Sequence, residues 1–311
     1  MREYFQVSDR ADFEELVNLA MAVPGRVRMR PVVEKEILHY DILFCLDKEG
    51  LLDQLTFQGG TALRLCYGSS RFSEDLDFAG GTGFTSQDLQ QIRDCIEKYI
   101  RPRYGMEVEV KEPRDLQKSL VNSGLNISKW QVSIMTAPAR RDLPRQRIKI
   151  EVASIPAWTR EPRALQVNYN FLPDGYADTL VMTEKLDEIM ADKLISLVNT
   201  ERYVRNRDIW DLRWLKQNSA VVDLELVNKK IHDYRISDYP GKLKVMLERL
   251  PGIIHGEAFR NEMMRFIPDD VRERTLEKDK FYDFLEAEVR GLLEEARSGL
   301  QGAKIDDAFQ M

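Results

Sequence analysis

The chain has 311 residues and a formal net charge of −6, long enough for two domains and not globally basic, so a nucleic-acid partner would have to be met by a local patch. Its three cysteines, Cys45, Cys66 and Cys95, show neither a disulfide framework nor zinc spacing, and its three histidines, His39, His232 and His255, lack partners at ligand spacing. These counts argue against a zinc enzyme or a histidine-based hydrolase; without an apolar signal core or a run of bilayer length, the expected setting is cytoplasmic, with no membrane partner.

Residues 12–21 read as an amphipathic helix, and Pro31 opens a second helix that runs to Leu46. A short strand at 55–58 enters a Gly-Gly turn. Residues 86–100 read as helix, with Leu89, Ile92, Cys95 and Ile96 on one face. Alternation predicts strands at 106–110, 130–135 and 147–153. From Thr183 the pattern is helical almost to the end, punctuated by Pro240, Pro251 and Pro268, with a last long helix at 281–296 and a loose tail at 301–311. The expected architecture is α/β (α+β): a mixed sheet with flanking helices over 1–180, then a helical bundle over 181–311.

The segment FQGGTALRLCYGSSRFSEDLDF, residues 57–78, is the most informative. Two-residue alternation puts Ser73, Asp75 and Asp77 on one face of an expected strand. Paired carboxylates repel unless a cation lies between them, and a hard divalent ion, Mg²⁺ or Mn²⁺, suits all-oxygen ligands. Upstream, Gly59-Gly60-Thr61 allows close backbone approach, and the following helix offers free N–H groups to an anion. A phosphate cradle followed by a carboxylate pair is the front half of a nucleotidyl-transfer site. A lone D-x-D also occurs by chance in an acidic chain.

A second strand, 147–154, carries Arg147, Lys149 and Glu151 on one face, so Glu151 is a candidate third metal ligand; alone, this would read as a solvated strand face. On the helix from 183 to about 199, Lys193 falls within the apolar stripe of Leu186, Ile189, Met190, Leu194 and Leu197 and needs a partner. Asp208 and Asp211 on the next helix are candidates. Two compatible readings follow: an ion pair clamping two helices, or a lysine on a triphosphate oriented by Asp208. Basic residues cluster at Arg140, Arg141, Arg145, Arg147 and Lys149, and at Arg202, Arg205 and Arg207. Arg64 lies one turn into the helix after the glycines. Such arginines receive phosphates, though most in a chain this charged are surface residues.

GGTALR, RFSEDLDF, KIEV, EIMADKLISL and RNRDIWDL occur in the order seen in the AbiEii/AbiGii toxin family of the DNA polymerase β superfamily, which the chain resembles from 57 to 215. The resemblance implies an NTP-dependent nucleotidyltransferase using Mg²⁺ (or Mn²⁺), acting as the toxin of a bacterial toxin–antitoxin or phage-defence pair. It implies an NTP donor, an RNA acceptor at the tRNA 3′ end, a block of translation and a cognate antitoxin. Carried onto this chain, the catalytic set is Asp75, Asp77, Lys193 and Asp208, and the metal set is Asp75, Asp77 and Glu151, the last standing where some members have aspartate. Gly60, Thr61, Arg64, Arg71, Ser73 and Lys149 make up the expected nucleotide-binding set. Ser73 reads as a control point where a phosphate would oppose the donor, or as a hydroxyl capping a local turn. The rivals are a small-molecule nucleotidyltransferase of the antibiotic-modifying type, and a non-enzymatic regulatory module with a degenerate site.

Overall fold

The computed structural model describes residues 11–113, 126–137, 144–200 and 203–309. The chain divides into two compact units, Met1–Thr183 and Glu184–Met311.

The first unit is built on one mixed seven-stranded sheet. Its strands are β1 (Thr56–Gln58), β2 (Leu76–Ala79), β3 (Val108–Lys111), β4 (Ile127–Ile134), β5 (Gln146–Ala153), β6 (Glu161–Ala164) and β7 (Leu180–Thr183), in the spatial order β3-β4-β5-β2-β1-β7-β6. The β2–β5 and β1–β7 pairs are parallel, and the other pairs are antiparallel. Strict alternation makes β3, β4 and β5 two-faced. Val108, Val110, Trp130, Val132, Ile134, Ile148, Ile150 and Val152 are buried, whereas Lys111, Lys129, Arg147 and Lys149 are exposed. Helices α2 (Arg30–Lys48) and α4 (Ile92–Tyr104) lie against β5 and β3, respectively.

Local chemistry sets the helix ends. Asp12 caps α1 (Phe13–Met21) by accepting from the N–H groups of Glu14 and Glu15. Pro31 stands in the first turn of α2, where its missing N–H costs nothing. Helix α3 (Gly59–Tyr67) stops at Gly68, and α4 at Gly105, both left-handed caps. The helix expected over 86–100 is a single 3₁₀ turn, Ser86–Leu89, followed by α4, which runs on to Tyr104.

Two strands left no trace in the alternation. β6 contains Pro162 and is largely exposed, as an edge strand allows, and β7 is four residues long with Leu180 exposed. Because β7 pairs with both β1 and β6, it belongs to the sheet, and the division between the units falls after Thr183.

The second unit is helical: α5 (Leu186–Asn199), α6 (Asn206–Gln217), α7 (Leu224–Asp233), α8 (Tyr239–Ile254), α9 (Glu257–Met263), α10 (Asp269–Arg274) and α11 (Asp279–Phe309). The tail expected to be loose from 301 continues α11 to Phe309. A fully buried lysine, Lys230 of α7, lies 2.9 Å from Glu184, 2.8 Å from Glu188 and 3.0 Å from Asp192. These carboxylates recur every fourth residue, on one face of the α5 end. Burial pushes the Glu184 carboxyl well above its ordinary value despite the Lys230 charge.

Among the described residues no helix is long and apolar enough to cross a membrane.

Candidate active site

Strand β1 ends at Gln58, and the chain turns at Gly59 with φ +77° to enter α3. That conformation favours glycine, and a Cβ there would stand 2.8 Å from Asp77 Oδ2. The Asp77 carboxylate therefore occupies the space a side chain at 59 would need. A Cβ at Gly60 would meet Arg71 Nη2 at 2.3 Å and Ser73 Oγ at 3.0 Å. The two glycines thus admit Asp77, Arg71 and Ser73 against the turn.

Asp77 lies in β2, in register with Gln58 of β1 on one side and Glu151 of β5 on the other. The three share a sheet face. Ser73 and Asp75 do not lie on the strand, contrary to the expected shared strand face. β2 begins at Leu76, where its ladder with β5 also begins, opposite Ile150, and its ladder with β1 starts one residue on, at Asp77 opposite Gln58. The segment before it is held by side chains instead of a ladder. Asp75 Oδ1 accepts from the Lys149 N–H at 3.1 Å, and Lys149 Nζ lies 3.7 Å from Asp75 Oδ2. The Thr61 hydroxyl donates to the Asp75 carbonyl. His39 Nε2 lies 3.0 Å from the Glu74 carbonyl, and Lys35 Nζ 2.7 Å from the Glu74 carboxylate. A carbonyl only accepts, so His39 donates from Nε2. Burial holds this histidine down to about 4, so it is neutral at physiological pH. His39 has no motif partner in the sequence, and only the packing of α2 beside this segment reveals it.

The expected nucleotide-binding residues separate. Gly60, Thr61, Arg71, Ser73 and Lys149 surround the turn and the Asp75 segment. Arg64 does not join them. Its guanidinium is buried, forks onto Glu36 of α2 at 2.7 and 3.1 Å and donates to the Ser69 carbonyl at 2.9 Å. Burial opposes ionisation of Glu36, but the Arg64 charge wins and holds the carboxyl below its ordinary value. Thr61 and Arg71 are also buried, with Arg71 Nη1 donating to the Phe72 carbonyl at 2.8 Å. The Thr61 and Arg71 side-chain bonds brace the loop itself.

Among the described residues, no three His, Cys, Asp or Glu side chains are grouped to hold a metal ion. Glu151 instead makes a 3.0 Å ion pair with Lys129 across the β4–β5 ladder. The donor set still fits a hard cation bound through few protein ligands. Asp75 and Asp77 are carboxylates, and the buried Gln58 Oε1, on the same face as Asp77, has no hydrogen-bond partner among the described residues. An ion of the Mg²⁺ type takes one or two carboxylates and completes its shell with water and substrate phosphates.

In the second unit Lys193 Nζ lies 2.7 Å from Asp208 Oδ1 and 3.0 Å from Asp211 Oδ2, with a side chain 12% exposed. Ser196 Oγ donates to Asp208 Oδ2 at 2.6 Å. Asp211 is thus a full partner of Lys193 beside Asp208. Arg205 reaches Asp208 at 3.9 Å, and Arg207 reaches Glu262 at 3.5 Å. Arg145 pairs with Glu107 at 2.7 Å. Arg140, Arg141 and Arg202 lie outside the described residues.

The chain belongs to the family of nucleotidyltransferase toxins of type IV toxin–antitoxin systems described as AbiEii, whose pattern matches residues 41–307. Among solved structures it is similar to MenT4, a nucleotidyltransferase toxin of Mycobacterium tuberculosis H37Rv, with a TM-score of 0.47 and 19% identity over 79% of this chain and 72% of that one. It is also similar to JHP933 of Helicobacter pylori, with a TM-score of 0.45 and 17% identity over 90% of this chain and 98% of that one. No curated protein matches.

Proposed function

We propose that this nucleotidyltransferase is metal-dependent and transfers a nucleotide from an NTP to an RNA, at the tRNA 3′ end, so that translation is blocked until a cognate antitoxin intervenes. The observation that carries this reading is the pair Asp75 and Asp77 beside the Gly59-Gly60 turn. Asp75 is aimed by the Lys149 amide, and Asp77 fills the space that Gly59 leaves open. In this proposal Asp75 and Asp77 hold a divalent ion, with Gln58 Oε1 as an additional oxygen within the same face. Such an ion polarises the phosphoryl oxygens and lowers the pKa of an attacking hydroxyl. Lys149 supplies positive charge beside the donor phosphates, and Lys193, oriented by Asp208 and Asp211, is a triphosphate-binding lysine. Glu151 serves as a neighbouring negative charge whose present partner is Lys129.

The open basic strands beside Asp75 favour a polyanionic acceptor over a small molecule. The test is incubation with each labelled NTP and total RNA, against a panel of small hydroxyl acceptors. Label should enter tRNA in the wild type and fall to background in Asp77→Ala with an unchanged circular dichroism spectrum. Label found only on small molecules would sink the acceptor assignment, and full transfer by Asp77→Ala would sink the metal site.

A further inference from the structure

The register of three strands lines up charges that are scattered in the sequence. Lys111 of β3 is opposite Gln131 of β4, which is opposite Lys149 of β5. One row along, Glu109 is opposite Ser133, and Ser133 is opposite Arg147. In the other direction Lys129 is opposite Glu151, and Glu151 is opposite Asp77. Residues opposite one another in a ladder share a face, as do alternate residues along a strand. Lys111, Lys129, Arg147 and Lys149 therefore stand on the face that carries Asp77, and all four are exposed. Strand spacing places neighbouring cations roughly 5–10 Å apart.

The face is graded in charge. Its inner end, at β2 and β5, holds Asp77 and Glu151, with Asp75 beside them. Its outer part holds the four cations, and Glu109 is the one carboxylate there among the described strand residues. Glu107, just before β3, is already neutralised by Arg145. None of the described strand residues on the face of β3, β4 and β5 is aromatic, so the face offers charge to phosphates and no platform for stacking bases. Two of the cations already lean on site carboxylates, Lys129 on Glu151 at 3.0 Å and Lys149 on Asp75 at 3.7 Å. The cationic track is thus continuous with the carboxylates.

We infer that this open face of β3, β4 and β5 is the acceptor track, along which the phosphates of a single-stranded RNA 3′ segment run across Lys111, Arg147, Lys129 and Lys149 toward Asp75 and Asp77. The inference rests on the reading of the chain as an RNA-modifying nucleotidyltransferase and names the surface that makes a net-acidic protein bind a polyanion. It also moves the acceptor grip from one basic run of sequence to residues of three strands, two of which, Lys111 and Lys129, stand in no motif.

The test uses the full chain with a fluorescent single-stranded oligoribonucleotide ending in a free 3′ hydroxyl, titrated by anisotropy in EDTA at several salt concentrations. Each phosphate contact on a single strand contributes a slope of about −0.7 to log K against log salt. The double variant Lys111→Ala, Arg147→Ala should flatten the slope by about 1.4 and weaken binding several-fold at low salt, with NTP affinity and circular dichroism unchanged. A charge-matched control in the helical unit, Lys244→Ala with Arg249→Ala, should keep the wild-type slope. An unchanged slope in the strand variant, or equal flattening in both variants, overturns the track. Transfer of labelled nucleotide by the wild type is measured separately. If the wild type transfers nothing to RNA, the functional reading fails even where the slopes behave as expected. If it transfers normally and the strand variant keeps its slope, only the track fails.

Discussion

Gly59 has no room for a side chain. Its φ of +77° already disfavours any other residue, and a Cβ would stand 2.8 Å from the Asp77 carboxylate. Gly59→Ala therefore combines backbone strain of roughly 1–3 kcal/mol with displacement of Asp77. It should lower the thermal midpoint and remove transfer together, and an alanine variant with wild-type turnover would contradict the geometry. His39 acts at one remove. Its Nε2 bond to the Glu74 carbonyl helps hold the segment that delivers Asp75. A misplacement of about 1 Å at a reacting group costs on the order of 100-fold in rate. His39→Leu should thus lower kcat roughly 10–100-fold at little change in KM for the NTP, whereas His39→Gln, which keeps an N–H donor, should recover part of it. Equal kcat in the wild type and His39→Leu would show that Glu74 is held well enough by Lys35 alone.

At the scale of elements, one lysine between two aspartates ties α5 to α6. Lys193 is largely buried, as are Asp208 and Asp211, and removing the cation leaves two carboxylates facing each other without it. Breaking a buried pair from one side costs about 3–5 kcal/mol. Lys193→Ala should lose stability of that order in urea unfolding and should also weaken NTP binding. The two effects are separable: adding Asp211→Asn to Lys193→Ala should restore part of the stability and none of the NTP affinity. Restored NTP affinity in the double variant would reduce Lys193 to a structural clamp. The Arg64–Glu36 fork is the equivalent clamp between α3 and α2. The same residue type that receives phosphate in a motif is here consumed by a buried carboxylate, a distinction no spacing rule contains.

At the scale of the molecule, two buried groups give stability opposite slopes in pH. His39 is held down to about 4 from an ordinary value of 6.5, so the fold excludes a proton that the unfolded chain accepts. Its contribution is complete above 6.5 and is lost as pH falls toward 4. Glu184, beside Lys230, Glu188 and Asp192, is held well above its ordinary 4.5, so the fold favours a proton that the unfolded chain releases. That contribution is present below 4.5 and fades as pH rises through the raised value. Glu184→Gln carries the neutral form permanently. Its thermal midpoint relative to wild type should therefore rise from pH 5 to pH 8, and a constant difference across that range would mean that Glu184 is ionised in the fold. His39→Gln should flatten the acid side of the same curve.

Periodicity and punctuation were enough to read the alternating strands β4 and β5, the helices α1, α2, α5 and α6, and the change from a mixed sheet to a helical unit. These are local properties: alternation, apolar stripes and capping residues act within a few positions. The Gly-Gly turn and the two aspartates were legible for the same reason, because close backbone approach and carboxylate pairing are written in adjacent residues. The limits of that reading are equally physical. β7 exists because β1 offers an edge to pair with, and β6 because β7 does, not because their own residues alternate. Asp75 leaves the strand because the ladder starts at Leu76. The fates of Arg64, His39, Asp211, Lys129 and Lys230 were decided by partners 28, 35, 18, 22 and as many as 46 positions away, including Glu36, Glu74, Lys193, Glu151 and Glu184. Sequence alone named the candidates for nucleotidyl-transfer chemistry, since side-chain type and short-range spacing suffice to nominate them. Only the tertiary structure decided which charges are spent inside the fold and which stand on an open face, because the cost of burying a charge depends on what the folded chain brings beside it.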